Sequence, residues 1–238
     1  MNIAAVLLRA GATAAIVALT LGIAAAATTA PLDSQYVLSR YALAIDAVVV
    51  PRNVVFTYSV SQVGPSNIEQ RHTVFRSGAD VRDETFSVDG LTLPRKRVRF
   101  FKHEDPYAVT RLAPRAVANQ ILFLGATKDG SHYDYAYEIT PLLQPPGAAI
   151  YRMTLDGARF LPRVVRFHTA SASAKGDGEV VYAPFGRYWM PVLATVDASV
   201  SGKPARERIT WGDYRFPEAL PSSTFVAPKP LIPPGPRP

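Results

Sequence analysis

The chain has 238 residues, a formal net charge of +7, 48% hydrophobic residues and no cysteine. That length suits one sizeable domain with its own core, and the missing cysteine excludes disulfides, thiolate metal sites and a lipid-modified N-terminal cysteine. The positive balance favours anionic surfaces, namely phospholipid headgroups, polyanionic envelope polymers or nucleic acid, or it simply serves solubility.

Met1 to Arg9 is a short, weakly positive start, and Ala10 to Ala27 is an Ala-rich apolar run. Ala25-Ala26-Ala27 offers small residues for cleavage before Thr28, the pattern of a secretory signal peptide. The competing reading is a retained membrane anchor, for which Ala, Gly and Thr make a poor lipid-facing helix. The chain therefore divides into a signal at residues 1–27, one domain at 28–225 and a Pro-rich tail at 226–238. Export without a lipidated cysteine places the protein in the periplasm or outside the cell. It also argues against nucleic acid as a partner.

Pro31 to Val48 reads as a helix capped by Asp33 or Ser34, with Tyr36, Tyr41, Ala44, Ile45 and Val48 near helical spacing and Pro51 beyond its end. Val54 to Gln62 alternates cleanly, with Phe56, Tyr58 and Val60 on one face of a strand. Gly64-Pro65-Ser66-Asn67 and Ser77-Gly78-Ala79-Asp80 are turns that return the chain through strands at Glu69 to Arg76 and Val81 to Val88, ending at Asp89-Gly90. Short connections of this kind give an antiparallel meander and exclude parallel units, whose crossovers need helices.

Pro94 to His103 is the most basic stretch. On a strand, Arg95, Arg97 and Arg99 share one face and are candidates for anionic headgroup contact. The same charges also suit an edge strand that must not pair with another chain. Tyr107 to Leu112 is expected as the next strand, and Ala116 to Ala126 as either a short helix or a buried strand. Tyr133, Tyr135, Tyr137 and Ile139 alternate on one strand face, as either core or the wall of a binding site. Pro141 to Gly147 is a loop suited to a lid. Tyr151 to Leu155 and Arg163 to Thr169 form a hairpin about Asp156-Gly157, and Ser171 to Gly178 reads as a turn before a strand at Glu179 to Tyr182. Two long strands follow around Ser201-Gly202-Lys203-Pro204. The first places Tyr188, Met190, Val192, Ala194 and Val196 at alternate positions; the second, Arg206 to Phe216, places Ile209 and Trp211 on one face.

No catalytic constellation emerges. His72, His103, His132 and His168 fall on separate elements, and neither His103-Glu104-Asp105 nor His132-x-Asp134 has the spacing of a helical zinc motif. There is no GxSxG elbow and no Gly-rich phosphate loop. Asp83, Glu84 and Asp89 are near one another in sequence, but nothing else marks them as paired catalytic acids. The expectation is a protein without enzymatic activity, cofactor or metal.

The segment from Leu161 to Phe225, with "LPRVVRFH", "GEVVYAPFGRYWMP" and "WGDYRF...LP..TF", resembles the C-terminal half of LolA-like proteins, the outer-membrane lipoprotein-sorting and carrier group. The resemblance rests on dispersed aromatics, Gly and Pro, and it is weaker before Leu161. It implies an α+β fold: a curved, incompletely closed, barrel-like antiparallel sheet with an N-terminal helix and a few covering helices or loops. It also implies that acyl chains of a lipid or lipoprotein are held in the concavity, without covalent chemistry. The absent cysteine speaks against the lipid-anchored LolB-like acceptors. Alternation nominates Phe56, Tyr58, Val60, Tyr135, Tyr137, Met190 and Val192 as cavity wall. The expected partners are acyl chains, with transient contact to a membrane surface or envelope proteins, and the expected state is monomeric. The alternative is an envelope regulatory or structural module acting through protein contacts, as in the RseB sensor, whose domain is similar.

Overall fold

A computed structural model of the chain describes residues 30–227, apart from 66, 103–104, 144–147 and 171–173. The expected signal at 1–27, most of the Pro-rich tail, His103, Glu104 and part of the expected lid lie outside the described residues.

Helix α1 spans Ser34–Asp46, within the expected helix. The Asp33 carboxylate caps it, accepting from the backbone N–H of Gln35 at 2.9 Å and of Tyr36 at 3.0 Å. Its buried face is Val37, Tyr41 and Ile45, one residue per turn, each contributing about 1.5–3 kcal/mol by burial. Tyr36, expected on that face, is half exposed.

Eleven strands follow. They are β1 (Asn53–Val63), β2 (Ile68–Ser77), β3 (Asp80–Val88), β4 (Leu91–Lys102), β5 (Asn119–Asp129), β6 (His132–Pro141), β7 (Ala148–Asp156), β8 (Pro162–Ala170), β9 (Ala174–Phe185), β10 (Tyr188–Val200) and β11 (Lys203–Arg215). They form one antiparallel sheet in the order β4-β3-β2-β1-β11-β10-β9-β8-β7-β6-β5. The first and last strands thus pair in the middle, and β4 and β5, neighbours in the chain, are the two open edges. The connection between them crosses one face of the sheet and carries α2 (Val109–Leu112). Here the expected strand at Tyr107 to Leu112 is corrected: a segment that must cross a sheet face cannot join its ladder.

Several turns follow the local rules. Asp89-Gly90 and Ser201-Gly202 both have positive φ at their two central residues (50° and 78° in each case), the geometry that suits two-residue hairpins. Six of the ten strand pairings contain a register shift. Bulges bend a strand and increase its twist, so their frequency accounts for a sheet that curls without closing.

The crossing segment and α1 fill the concave side over β6–β10. There Tyr135, Tyr137, Ile139, Met153, Leu155, Val165, Val180, Tyr182 and Ala194 pack with Val37, Tyr41, Ile45, Val109 and Ala113. Tyrosine hydroxyls tie the layers. Tyr41 donates to the Pro114 carbonyl at 2.7 Å, and Tyr182 donates to the Tyr107 carbonyl at 3.0 Å.

Two further expectations need correction. Ala174 to Gly178, read as a turn, is the start of β9. Glycine is present there for space: a Cβ on Gly178 would lie 2.2 Å from the Phe167 ring on the paired strand. On β10 a bulge between Pro191 and Leu193 breaks the alternation, so Trp189 joins the core with Ala194, and Met190 and Val192 do not share their face. The ambiguous stretch at 116–126 contributes to a strand, β5.

Candidate functional site

Where β6–β10 bury aliphatic and aromatic side chains beneath helices, β1–β3 leave part of the concavity open. The alternating residues Phe56, Tyr58 and Val60 of β1 face inward and are half buried. In register, Tyr58 stands opposite Trp211 and Val60 opposite Ile209 on β11, while Phe56 stands opposite Val74 and Tyr58 opposite His72 on β2. Val74 in turn meets Asp83 on β3, and Val81 meets Phe101 on β4. The crossing segment supplies Asp105, Pro106 and Tyr107 as a roof, with the Tyr107 and Trp211 rings 5.1 Å apart. These residues enclose a cavity of about 320 Å³, within the lower range of small-ligand pockets, roughly 300–1,000 Å³.

The polar groups of this wall are largely satisfied by one another. Asp83, its side chain only 3% exposed, has its Oδ1 2.7 Å from His72 Nδ1. Its Oδ2 accepts from the Tyr58 hydroxyl at 3.1 Å and from Arg99 at 2.7 Å. His72, 1% exposed, lies under the Tyr58 ring (centroids 4.3 Å apart, 11° between planes), with Nε2 3.1 Å from Gln70 Oε1. Burial alone would raise the Asp83 carboxyl, but the hydrogen bonds and charges of His72 and Arg99 together outweigh it and hold the group below its ordinary value. The Tyr58 hydroxyl is pushed up, first by burial and then by the neighbouring Asp83 charge. Tyr107 is raised by burial, with Glu207 and Asp105 adding to the effect. Arg76 bonds Asp105 at 2.9 Å, and Asp105 also accepts from the Tyr107 N–H at 2.9 Å. The roof is therefore anchored to β2 by an ion pair.

Chemically, the wall offers apolar surface and little reactivity. Both Asp83 oxygens and both His72 nitrogens have partners, and the imidazole is sealed beneath Tyr58. Asp83 and Glu84 lie on opposite faces of β3, with Glu84 paired to Lys96 at 2.7 Å and to Arg82. The carboxylates read together in the sequence are therefore not brought together.

The other nominated residues lie elsewhere. Tyr135 and Tyr137 are in the filled core, where the Tyr135 hydroxyl accepts from the Leu32 N–H at 2.7 Å and the Tyr137 hydroxyl donates to the Ser34 carbonyl at 3.1 Å. Met190 borders a gap of about 20 Å³ beside Val48 to Val50, Trp189 and Pro191. Val192 sits half buried at the β10 bulge. Arg95 and Arg97 are exposed on edge strand β4, whereas Arg99, though 65% exposed, is committed to Asp83. Ile209 and Trp211 are legible in the sequence as one face of β11, and Phe101, with Phe100, as an apolar group in the basic stretch available to an acyl chain, but Val74, Val81 and Tyr107 are not singled out by it. Polar residues at inward positions, His72 and Asp83, are the signal that could have marked this wall.

Two other places are less suited to a ligand. A wide depression of about 1,360 Å³ lies among hairpin tips, lined by Gly64, Pro65, Gly202, Pro204 and charged residues including Arg206, already paired to Asp197. It is larger than the β1–β3 cavity but consists of the largely exposed ends of β1, β9, β10 and β11 and their turns. On the far half, ligand atoms of Asp129, His132 and Asp134 lie within 4.8 Å of one another. Arg163 bonds both Asp129 and Asp134, supplying the positive charge that such a cluster requires.

No family model matches the chain, and no curated protein does. Among solved structures, a LolA superfamily protein from Nitrosomonas europaea is 12% identical over 82% of this chain and 98% of its own, with a TM-score of 0.43. A putative outer membrane lipoprotein-sorting protein domain from Vibrio parahaemolyticus is 11% identical over 81% and 97%, with a TM-score of 0.46. A DUF1329 family protein from Desulfovibrio piger is 11% identical over 80% and 97%, with a TM-score of 0.43. The first two carry the LolA and lipoprotein-sorting descriptions.

Proposed function

We propose that this chain is an exported binding or carrier protein that holds an acyl chain, of a lipid or of a lipoprotein, in the cavity between β1–β4, β11 and the crossing segment. The observation that carries this reading is the cavity itself. Its about 320 Å³ is lined by Phe56, Val60, Val74, Val81, Ile209 and Trp211, and its buried polar wall is paired internally. A water occupies about 30 Å³ of liquid volume, so the space takes on the order of ten water-sized groups, the scale of one acyl chain rather than several. Apolar burial is non-directional and needs no reacting residue, which suits uptake and handover. Arg95 and Arg97, exposed on the β4 edge, are the groups proposed to meet an anionic headgroup.

The test is mass spectrometry of organic extracts from protein purified without detergent from its native envelope. A stoichiometric acyl-bearing molecule, lost on Tyr58→Asp, supports the reading. A lipid-free protein that also refuses a fluorescent fatty acid contradicts it and leaves recognition through protein contacts.

A further inference from the structure

Beside the apolar cavity lies a second recess of different chemistry. It measures about 460 Å³ and is lined by the linker before β1, the β2–β3 turn and the crossing segment. Arg52, Arg76 and Arg111 border it, against the one carboxylate of Asp105 among the described residues. The two spaces share a wall, because Arg76 and Asp105, joined at 2.9 Å, line both. The gap of about 20 Å³ beside Met190 touches the same pair, so three spaces meet there. Arg76 is 8% exposed, and Asp105 neutralises it. Arg52 is different. Its carbonyl accepts from the Gly78 N–H at 2.8 Å, which holds the residue against the β2–β3 turn. Its exposed side chain has no hydrogen bond or ion pair among the described residues.

An apolar cavity alone takes an acyl chain whatever the chain is attached to. The adjoining arginines restrict the attachment. A guanidinium presents forked N–H donors that match a phosphate, and a concavity concentrates the field of the charges that line it. At about 30 Å³ per water, the recess takes on the order of fifteen water-sized groups, more than a carboxylate fills and enough for a phosphate with its glycerol. We propose that this recess is the headgroup subsite of the apolar cavity, and that the ligand is a single-chain glycerophospholipid of the lysophosphatidate kind. Its acyl chain lies between β1–β3 and β11, its glycerol passes the Arg76–Asp105 pair, and its phosphate pairs with Arg52. The inference rests on the acyl-chain reading and narrows it to an anionic lipid, since a neutral head leaves the Arg52 charge without a partner. Arg95 and Arg97 border neither space and are left to meet a membrane surface.

The test is isothermal titration calorimetry of the purified, delipidated protein with lauroyl lysophosphatidate, monolauroylglycerol and glycerol phosphate, the lipids kept below micelle formation. Wild type binds lauroyl lysophosphatidate about tenfold or more tighter than monolauroylglycerol, and glycerol phosphate far more weakly than either. Arg52→Glu, folded by circular dichroism, abolishes that preference and still binds monolauroylglycerol, because Arg52 lies outside the acyl cavity. Arg52→Gln lowers the preference about tenfold and carries the test if R52E does not fold. Ile209→Trp, inside the apolar cavity, weakens both lipids alike. Equal binding of the two lipids by wild type, or a preference that survives the Arg52 variants, overturns the headgroup subsite and leaves the acyl-chain reading standing. Binding of neither lipid overturns the acyl-chain reading, and this inference with it. Glycerol phosphate bound as tightly as lysophosphatidate, with I209W without effect, identifies a free phosphate as the ligand and also overturns the proposal.

Discussion

Replacing Asp83 by Asn tests the polar wall on which the open cavity depends. In the wild type this carboxylate accepts from Tyr58 and Arg99 through one oxygen and faces His72 through the other. An amide of the same shape can keep its oxygen toward Tyr58 and Arg99 and turn its nitrogen toward His72. The contacts then survive, but the charge assistance is lost. Hydrogen bonds to charged groups contribute about 1.5–3 kcal/mol each, and the exposed Arg99 counts for little of that, so Asp83→Asn is expected to cost about 2 kcal/mol. Asp83→Ala, which removes the acceptor shared by Tyr58 and Arg99 and leaves His72 Nδ1 only the Thr85 hydroxyl at 3.3 Å, is expected to cost about 3–5 kcal/mol. Urea unfolding followed by tryptophan fluorescence measures both. The pH dependence supplies an internal check. The folded carboxyl titrates below its ordinary value, so its stabilisation is present above the unfolded value of about 3.9 and is lost as pH falls through the folded one. The gap between wild type and D83N should therefore be full at neutral pH and shrink in acid. A loss below about 0.5 kcal/mol at neutral pH, within the range of an ordinary surface substitution, would refute the network's role. An undiminished gap in acid would refute its electrostatic origin.

Three other outcomes follow from the geometry. Ile209→Trp should fill part of the cavity and abolish fatty-acid uptake while keeping the folded circular dichroism spectrum; unchanged uptake would place the ligand elsewhere. Gly178→Ala should destabilise the chain by about 1–3 kcal/mol in urea titrations, because its Cβ would overlap the Phe167 ring. Tyr137→Phe should cost about 1 kcal/mol by losing its bond to the Ser34 carbonyl, with ligand uptake unchanged, since this residue lies in the filled core.

Alternation and turn chemistry make most of the sheet legible in the sequence. Phe56, Tyr58 and Val60 share one face in both sequence and structure because β1 keeps the two-residue period along its inward side. The β10 face does not follow from alternation, because a bulge at Val192 shifts the period by one residue; Pro191, of a type that a central strand accepts chiefly at bulges, is the local sign of it. Gly176 and Gly178 resemble turn residues because a glycine needed for space, against Asp197 and Ala198 in the first case and Phe167 in the second, looks the same as one needed for a turn. The division of the concavity into a filled half and an open half depends on where α1 and the crossing segment settle. That is a tertiary outcome, and so Tyr135 and Tyr137 cannot be told from Tyr58 by pattern alone.

The central claim is the location of the bound chain, and photo-crosslinking addresses it most directly. The protein would be loaded with a diazirine-bearing fatty acid, irradiated and digested, and the labelled residues read by tandem mass spectrometry. Labels on the β1, β2 and β11 peptides containing Phe56 to Val60, Val74 and Ile209 to Trp211 are the result this account predicts. Labelling centred on Tyr135 to Ile139, or labelling no stronger than that of the cavity-filled Ile209→Trp variant, would contradict it.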